Sequence, residues 1–465
     1  MIAPVRSRIR FGSLGAAMIA ACGFSPPGQQ AASGDAPMLI DAPFIAPDAG
    51  MCMTTSVTCA DVNTLRICAT VGGSAVDTPC PWGCSPNGAA PHCQMLQPTG
   101  SGAQAMDTVG SDVMTTTLPM GTMIHLDSGA IDPGIRSPGT GLNKGITFEV
   151  HNGIDVFRFG DLHVAGNVQF VSMQQPMPPI VLVSTGSIVV DGMIDATGTC
   201  NGGTPGPGGF PGGGGAGMGP GGGGASSDQT LGGGGAGYGA AGGAGGAGGS
   251  APAIAGGSAY GTNTIDILVG GASGGGGNGG NPFGGAGGGA IQLVANNAIT
   301  INNAGAATPN PTGINAGGCG GTSGHAGGST NNDTGGGGGA GGAILLEAHD
   351  ITINGALAVN GGGGGGTHVN NGSATDGQKG QLGRTAAAGG MGGDAVGGVG
   401  GAGGAIAGAQ GGTGNGVGAG GGGAVGRMRF NTRSGAATVN ASAVLSPSLQ
   451  DSPTTCTQGS AQTTD

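Results

Sequence analysis

Glycine dominates the second half of this chain, and it is regularly spaced. Residues 201–423 contain 90 glycines in 223 positions, and the stretches 242–250 and 397–405 repeat Gly-Gly followed by a small residue. A three-residue period matches a threefold extended helix, which polyglycine can adopt. Two sides of such a helix carry only hydrogen, so neighbouring helices can approach closely. We predict ordered, polyglycine-II-like segments with the small residue pointing outward; the alternative is a flexible linker.

Composition argues against several classes of protein. The chain has 27 prolines in 465 residues without the strict collagen period, so it is not collagen-like. Its 23 acidic against 12 basic side chains repel phosphates, so no nucleic-acid partner is expected. One Trp, two Tyr and ten Phe supply little of the apolar lining that most small-molecule pockets need, which disfavours a conventional enzyme.

A pattern of two short alternating strands recurs before and between the glycine tracts. It runs from Leu162 to Phe170, returns 26 residues later from Ile188, and appears again from Ala290 and from Ala343. A divergent fifth copy begins at Ala424, and Ile265–Val269 looks like a further fragment. Short strands that repeat in this way are typical of coils that bury their apolar faces by stacking. We predict an all-β fold of parallel β-helix or solenoid-like coils, with a β-sandwich as the alternative.

The N-terminus has the layout of an export signal. Arg6, Arg8 and Arg10 precede a short apolar run that ends in small residues before Cys22. The sequence Ile19-Ala20-Ala21-Cys22 resembles a bacterial lipobox, which implies a signal peptide over 1–21 and lipid attachment at Cys22. The alternative is an ordinary signal peptide with an incidental Cys22. Gly23 in place of an acidic residue implies the outer membrane. The mature chain would keep 9 basic and 23 acidic side chains.

Residues 22–50 repeat Asp-Ala-Pro motifs, which predict an extended tether.

A cysteine-rich module follows over 51–97. An even cysteine count in a short exported segment favours three disulfides with 15 connectivities open, whereas a zinc site would need closer pairs. The six cysteines are Cys52, Cys59, Cys68, Cys80, Cys84 and Cys93.

Three more cysteines lie in the body of the chain. Cys200 and Cys319 each follow a matching coil end, so stacked coils would bring them to bridging distance. Cys456 has no evident partner and is expected to be a free thiol or an intermolecular link. The remaining boundaries are a linker and lead-in segment over 98–144, the glycine-rich β-helix-like domain over 145–449 and a polar tail over 450–465.

The cysteine module followed by glycine-rich coils resembles glycine-rich repeat surface lipoproteins of the myxobacterial type. The glycine tracts are also similar in composition to the PGRS regions of mycobacterial proteins. These resemblances imply a surface lipoprotein, and no catalytic activity follows from them.

Few residues suggest chemistry. The sequence Gly271-Ala-Ser273-Gly-Gly275 matches the G-x-S-x-G motif of a nucleophile elbow. That motif requires a helix after the serine, and further glycines follow here instead, so we do not assign it a catalytic role. The seven histidines are not paired at metal spacing, and Glu347, one of two glutamates, is expected on the outward face of a coil. We therefore expect no catalytic residue, cofactor or metal.

The function we expect is that of a non-enzymatic surface lipoprotein, structural or adhesive. Its partners would be the membrane through the lipid, and a surface glycan or protein. The alternative is a carbohydrate-active protein of the envelope. A carboxylate pair beside an Arg on one face would favour that alternative.

Overall fold

Strands make up nearly all the regular structure of this protein. The computed structural model describes residues 51–200, 203–279, 282–303, 312–324, 333–369 and 373–465. Within these ranges the fold is all-β, as predicted. A short 3₁₀ turn spans Ala105–Thr108. Residues Cys52–Asp465 form one compact unit.

The cysteine-rich segment holds six short strands: β1 (Ser56–Asp61), β2 (Thr64–Cys68), β3 (Val76–Pro79), β4 (Cys84–Ser85), β5 (His92–Cys93) and β6 (Met95–Gln97). β1, β2 and β3 form an antiparallel sheet, and β4 pairs antiparallel with β5. These elements are too small to bury a core of their own, so the disulfides described below hold them together.

Eleven strands follow before the first glycine tract: β7 (Thr116–Leu118), β8 (Thr122–His125), β9 (Ile131–Asp132), β10 (Gly141–Asn143), β11 (Ile146–His151), β12 (Ile154–Phe159), β13 (Leu162–Val164), β14 (Asn167–Val171), β15 (Ile180–Ser184), β16 (Ile188–Val190) and β17 (Met193–Asp195). The later strands are β18 (Ala290–Ile301), β19 (Gly313–Asn315), β20 (Ala343–Ile353), β21 (Ala356–Ala358), β22 (Thr413–Gly414), β23 (Val417–Gly418), β24 (Arg427–Thr432), β25 (Thr438–Val439), β26 (Val444–Ser446), β27 (Cys456–Ser460) and β28 (Gln462–Thr464).

Most body strands stack in three parallel ladders. Ladder one contains β12, β15, the first halves of β18 and β20, then β24 and β27. Ladder two contains β7, β13, β16, the second halves of β18 and β20, and β25. Ladder three contains β8, β14, β17, β19, β21 and β26. Parallel pairing of this kind differs from the antiparallel hairpins on which a β-sandwich is built.

The repeated sequence copies lie directly beside one another in these ladders. Leu162 pairs with Ile188, and Ala290 pairs with Ala343. Every second side chain points into the space that the ladders enclose, where Phe157, Leu182 and Ile344 are fully buried. A register slip of one residue would turn these side chains outward, so the apolar alternation fixes the register.

Within the described ranges, backbone hydrogen bonds join the glycine segments to one another. From 336 to 341 the N–H groups donate in rotation to 319–322, 272–275 and 421–424. The carbonyl groups of 335–340 accept in rotation from three other segments, 233–236, 362–365 and 285–288. Each neighbour therefore recurs at every third residue. We call this assembly the glycine array.

The glycine array covers the outer face of ladder one. Ala236, Ala272 and Ala340 point into a second core, where they lie with Val183 and Leu345 from the ladder strands. The prediction that the small residues of the tracts point outward is therefore wrong for the inner segments. It fits the array's edge, where Val399 is 47% exposed.

Three other expectations differ from the structure. Ile265–Val269 contains no strand; Ile265 and Leu268 anchor a loop to the second core. The lead-in segment 98–144 holds four strands, two of which begin ladders two and three. The polar tail 450–465 holds β27, which extends ladder one, and β28, which pairs with β6.

Candidate ligand-binding surfaces

The structure brings eight cysteines together in four pairs. Within the cysteine-rich segment the pairs are Cys52 with Cys68, Cys59 with Cys84 and Cys80 with Cys93. Cys200 and Cys319 are paired across stacked coils, with their Cα atoms 5.3 Å apart. Their coils adjoin because β17 pairs with β19. The proposed lipid-attachment residue, Cys22, lies outside the described residues.

Cys456 is a free thiol buried inside ladder one. It pairs with Met428 in the ladder and is only 2% exposed. Burial, reinforced by the charge of Asp451, raises the pKa of the thiol to about 12. A buried, protonated thiol is a poor nucleophile, so the intermolecular link considered from the sequence does not fit this position.

A polar cleft of about 240 Å³ lies between the 3₁₀ turn and β11–β12. Asp107, Asp112, Glu149, His151 and Arg158 are among its lining residues. The Arg158 guanidinium forms a forked pair with Asp112 and also donates to the backbone carbonyls of Asp107 and Val109. This pairing lowers the pKa of Asp112. Arg158 thereby holds 107–112 against β12, and Glu149 pairs with His151 at 2.8 Å.

An apolar hollow of about 370 Å³ lies at the edge of the glycine array. Pro220, Tyr238, Tyr260, Ile265 and Ile267 are among its lining residues. The two tyrosine rings are stacked with their centroids 4.4 Å apart. They are the two tyrosines of the chain. We call this feature the tyrosine hollow.

Hydrogen bonds hold both tyrosine rings in place. The hydroxyl of Tyr238 donates to the carbonyl of Val269, and that of Tyr260 donates to the carbonyl of Gly270. Burial raises the pKa of both phenols above the usual range, so both stay protonated donors. The Arg427 guanidinium lies 5.7 Å from the centre of the Tyr238 ring and donates to the Tyr260 carbonyl.

Glu347 is fully buried on the outer face of ladder one. Its carboxylate accepts hydrogen bonds from the Thr99 N–H and hydroxyl, from Gln292 Nε2 and from Asn431 Nδ2, at 2.6–2.9 Å. It does point away from the ladder interior, as expected, but the chain around Thr99 covers it. Its two oxygen atoms have hydrogen-bond donors, so we assign Glu347 a structural role.

The histidines are paired with carboxylates, a feature that the sequence did not reveal. Six of the seven lie in the described ranges, and in each case a ring nitrogen is within 4 Å of a carboxylate oxygen. The pairs are His92–Asp465, His125–Asp132, His151–Glu149, His163–Asp191, His349–Asp350 and His368–Asp394. Across the described ranges no group of three or more His, Cys, Asp or Glu side chains could hold a metal ion.

Asp155 is a buried carboxyl close to a second one. It lies in β12 and is 1% exposed, and its Oδ2 accepts a hydrogen bond from the Asp127 N–H at 3.0 Å. Burial and the neighbouring Asp127 charge raise the pKa of Asp155 to about 6, although the Asp127 N–H opposes this shift. Asp127 itself accepts from the Ser172 hydroxyl at 2.6 Å.

Comparison with known proteins identifies no relative. The chain matches no family model, no curated protein and no solved structure. Within the ranges that the structure describes, no helix is long and apolar enough to cross a membrane.

Sequence reasoning did not identify either the polar cleft or the tyrosine hollow. Asp107 and Asp112 fall in a segment expected to be a linker, and Ile265–Val269 was expected to be a strand. One signal was available for the hollow, since the only two tyrosines lie 22 residues apart on either side of a glycine tract. Their stacking depends on long-range folding, which spacing alone does not encode.

Proposed function

We propose that this protein is a non-enzymatic, lipid-anchored protein of the outer membrane with a structural or adhesive role at the cell surface. The observation that carries the proposal is the glycine array. Segments such as 336–341 are held by backbone hydrogen bonds to neighbours on all sides. Such an array is rigid and has few functional side chains. It is therefore suited to hold an exposed surface in a fixed position, as a structural or adhesive protein requires.

We further infer that the three ladders are the coils of a parallel β-helix and that the glycine array is a polyglycine-II-like assembly attached to it. The parallel register of successive coils supports the first inference. The three-residue rotation of hydrogen-bond partners supports the second. Together they give a solenoid with one side thickened by glycine.

The membrane attachment belongs to the same proposal and rests on the sequence. Lipid at Cys22 and the proline-rich stretch 22–50 would hold the body away from the outer membrane. Outward display is the proposed orientation, and a periplasm-facing body is its rival. The excess of acidic over basic side chains would keep the body away from anionic lipid.

Protease shaving of intact cells tests the orientation. A tag placed after Asp465, which is exposed, should be lost from intact cells while a periplasmic marker survives. If the tag is cut only after the envelope is opened, the body faces the periplasm and adhesion to other cells is excluded.

A deletion strain tests the role itself. Loss of the protein should reduce cell cohesion or adhesion to a surface, and a copy carrying Gly215→Ala should restore it. A strain that adheres normally without the protein would overturn the adhesive role.

The polar cleft favours one second candidate, a polysaccharide-processing protein. It places Asp107, Asp112 and Glu149 beside Arg158, which is the arrangement that would support such chemistry. The test is release of reducing ends from envelope polysaccharide by the purified protein and by its Glu149→Gln variant. Release that the variant abolishes would support an enzyme, and absence of release from the unaltered protein would exclude it.

A further inference from the structure

The tyrosine hollow has the features of a binding site rather than of a packing defect. Ile267 is 77% exposed at its mouth, although it lies between Ile265 and Leu268, which are both buried. Ile265 adopts φ of +54°, in the left-handed region that β-branched residues rarely occupy. Strained positions of this kind concentrate at functional sites, where the surrounding structure holds them.

The local structure fixes the loop that carries Ile267. Asp266 Oδ2 accepts hydrogen bonds from the hydroxyls of Thr262 and Thr264, each at 2.8 Å. These bonds lower the pKa of Asp266, so the carboxyl stays ionised at neutral pH. The rim of the hollow therefore holds a fixed acceptor beside the apolar wall of Pro220, Tyr260 and Ile267.

Rigid aromatic rings form the floor of the hollow. Because both phenol hydroxyls are bound to backbone carbonyls, the rings cannot turn without losing those bonds. Arg427 packs against Tyr238 and is 7% exposed, so its charge is directed into the protein rather than toward the mouth. The hollow thus combines a preformed apolar surface with a negative rim and no exposed cation among its lining residues.

We propose that the tyrosine hollow binds one neutral pyranose ring of a glycan. A pyranose has an apolar C–H face that packs on rings and aliphatic side chains, and hydroxyls that donate to a carboxylate such as Asp266. The volume of about 370 Å³ falls in the range of small-molecule sites, about 300–1,000 Å³.

Charge selects a neutral sugar. The carboxylate of Asp266 and the acidic excess of the whole chain both repel uronic acids and other anionic sugars. Arg429 is close enough to lower the pKa of Asp266, but its guanidinium is bound to Asn431 Oδ1 and to the Gln458 carbonyl and does not line the hollow. This inference rests on the proposed adhesive function, to which it adds the class of ligand and the site.

The experiment is a titration of the purified full-length protein with cellohexaose, maltohexaose and chitohexaose. Heat of binding and the ultraviolet difference spectrum are recorded together. Both tyrosines line the hollow and the single Trp82 lies in the cysteine-rich segment, so a bound sugar should perturb the tyrosine band and leave the tryptophan band unchanged. We expect one of these neutral oligosaccharides to bind with a stoichiometry of one, and polygalacturonate not to bind.

Two variants localise the binding. Ile267→Asp should abolish it, and Asp266→Asn should weaken it about tenfold, because the amide oxygen of Asn is a neutral acceptor and binds a sugar hydroxyl less strongly than a carboxylate does. Met173→Asp is the matched control, since Met173 is fully exposed beside a different hollow, and it should bind normally. Failure of all three neutral oligosaccharides to bind, or binding that survives Ile267→Asp, would overturn the proposal.

The outcomes separate this inference from the proposed function. A body that protease reaches on intact cells but that binds no neutral oligosaccharide would overturn the sugar site and leave surface display standing. Sugar binding by a body that protease reaches only in opened cells would keep the site and overturn the surface role.

Discussion

The two glutamates of this chain have opposite environments. Glu347 is fully buried with four hydrogen-bond donors from Thr99, Gln292 and Asn431. Glu149 is half exposed and pairs with His151. A buried carboxylate is tolerated only when its hydrogen bonds are satisfied, so Glu347 ties the chain at Thr99 to the outer face of ladder one.

We expect Glu347→Ala to lower the free energy of unfolding by about 3 kcal/mol. Each buried donor left without an acceptor costs about 1–3 kcal/mol, and the variant leaves several. Urea denaturation followed by circular dichroism measures the change. Glu149→Ala is the control, with an expected change within about 0.5 kcal/mol because its ion pair is exposed. Equal effects of the two variants would contradict the structural role of Glu347.

Asp155 gives a prediction with a defined pH dependence. Its folded-state pKa of about 6 lies above the unfolded value of 3.8, so the stability that protonated Asp155 contributes is lost as the pH rises from about 4 to about 6 and is absent above that. Asp155→Asn keeps the acceptor for the Asp127 N–H and removes the buried charge. We expect it to raise the free energy of unfolding by about 1–2 kcal/mol at pH 7 and to leave it unchanged at pH 4.

Asp191→Asn is the matched control for that measurement. Hydrogen bonds from Asn302 and His163 lower the pKa of Asp191 against the opposing effect of burial, so its ionised form is favoured in the folded protein. Its loss should reduce stability at pH 7, opposite in sign to Asp155→Asn. A stability gain for Asp155→Asn that persists at pH 4 would show that the buried charge is not the cause.

At the scale of elements, glycine is required because the segments pack backbone against backbone. A Cβ on Gly337 would lie 2.0 Å from the carbonyl oxygen of Gly234, and one on Gly339 would lie 2.0 Å from that of Ala286. Contacts this short cannot be relieved by rotating a side chain. Gly215, in contrast, lies at the exposed edge of the array, where a Cβ would meet no atom within 4 Å.

Gly337→Ala should therefore destabilise the protein, and Gly215→Ala should not. Overpacking a close-packed site costs about 1–3 kcal/mol, whereas alanine at a compatible glycine position is neutral or stabilising by up to about 1 kcal/mol. Thermal denaturation of the two variants gives the comparison. A flexible glycine linker would tolerate both substitutions equally, so equal melting temperatures would contradict an ordered array.

The sequence predicted those elements whose determinants are local or repeated. The copies at Leu162 and Ile188 pair in the ladder because identical apolar alternation specifies identical register. The prediction of a strand at Ile265–Val269 was wrong because alternation over five residues is equally compatible with a loop anchored at two points. The partners of the glycine segments were also beyond prediction, because glycine has no side chain that could distinguish one neighbour from another.

At the scale of the whole molecule, both ends of the described chain meet at the cysteine-rich segment. β28 pairs antiparallel with β6, and Gln94 donates to the Asp465 carboxylate at 3.1 Å. Trp82 of this segment is 3% exposed, and its indole N–H donates to the backbone carbonyl of Asn296. The segment is thus part of the compact unit Cys52–Asp465, and its aromatic residue is buried by the body.

Arg433 links the two parts directly. Its guanidinium donates to the carbonyl of Pro81 and to Asn63 Oδ1, both in the cysteine-rich segment, from its place just after β24. The single Trp reports on this contact, while the two tyrosines report on the glycine array. The molecule therefore carries separate spectroscopic probes for its two parts.

We expect the tryptophan and tyrosine signals to change at one denaturant midpoint in the unaltered protein, because a single cooperative unit unfolds as a whole. Arg433→Ala should move the tryptophan midpoint to lower denaturant and leave the tyrosine midpoint in place, since it removes the two hydrogen bonds that Arg433 gives to the cysteine-rich segment and so weakens the attachment of that segment to the body. Arg66→Ala removes only an exposed pair with Asp77 and should move neither midpoint. Coincident midpoints in Arg433→Ala would mean that β6–β28 pairing and Trp82 suffice to couple the two parts.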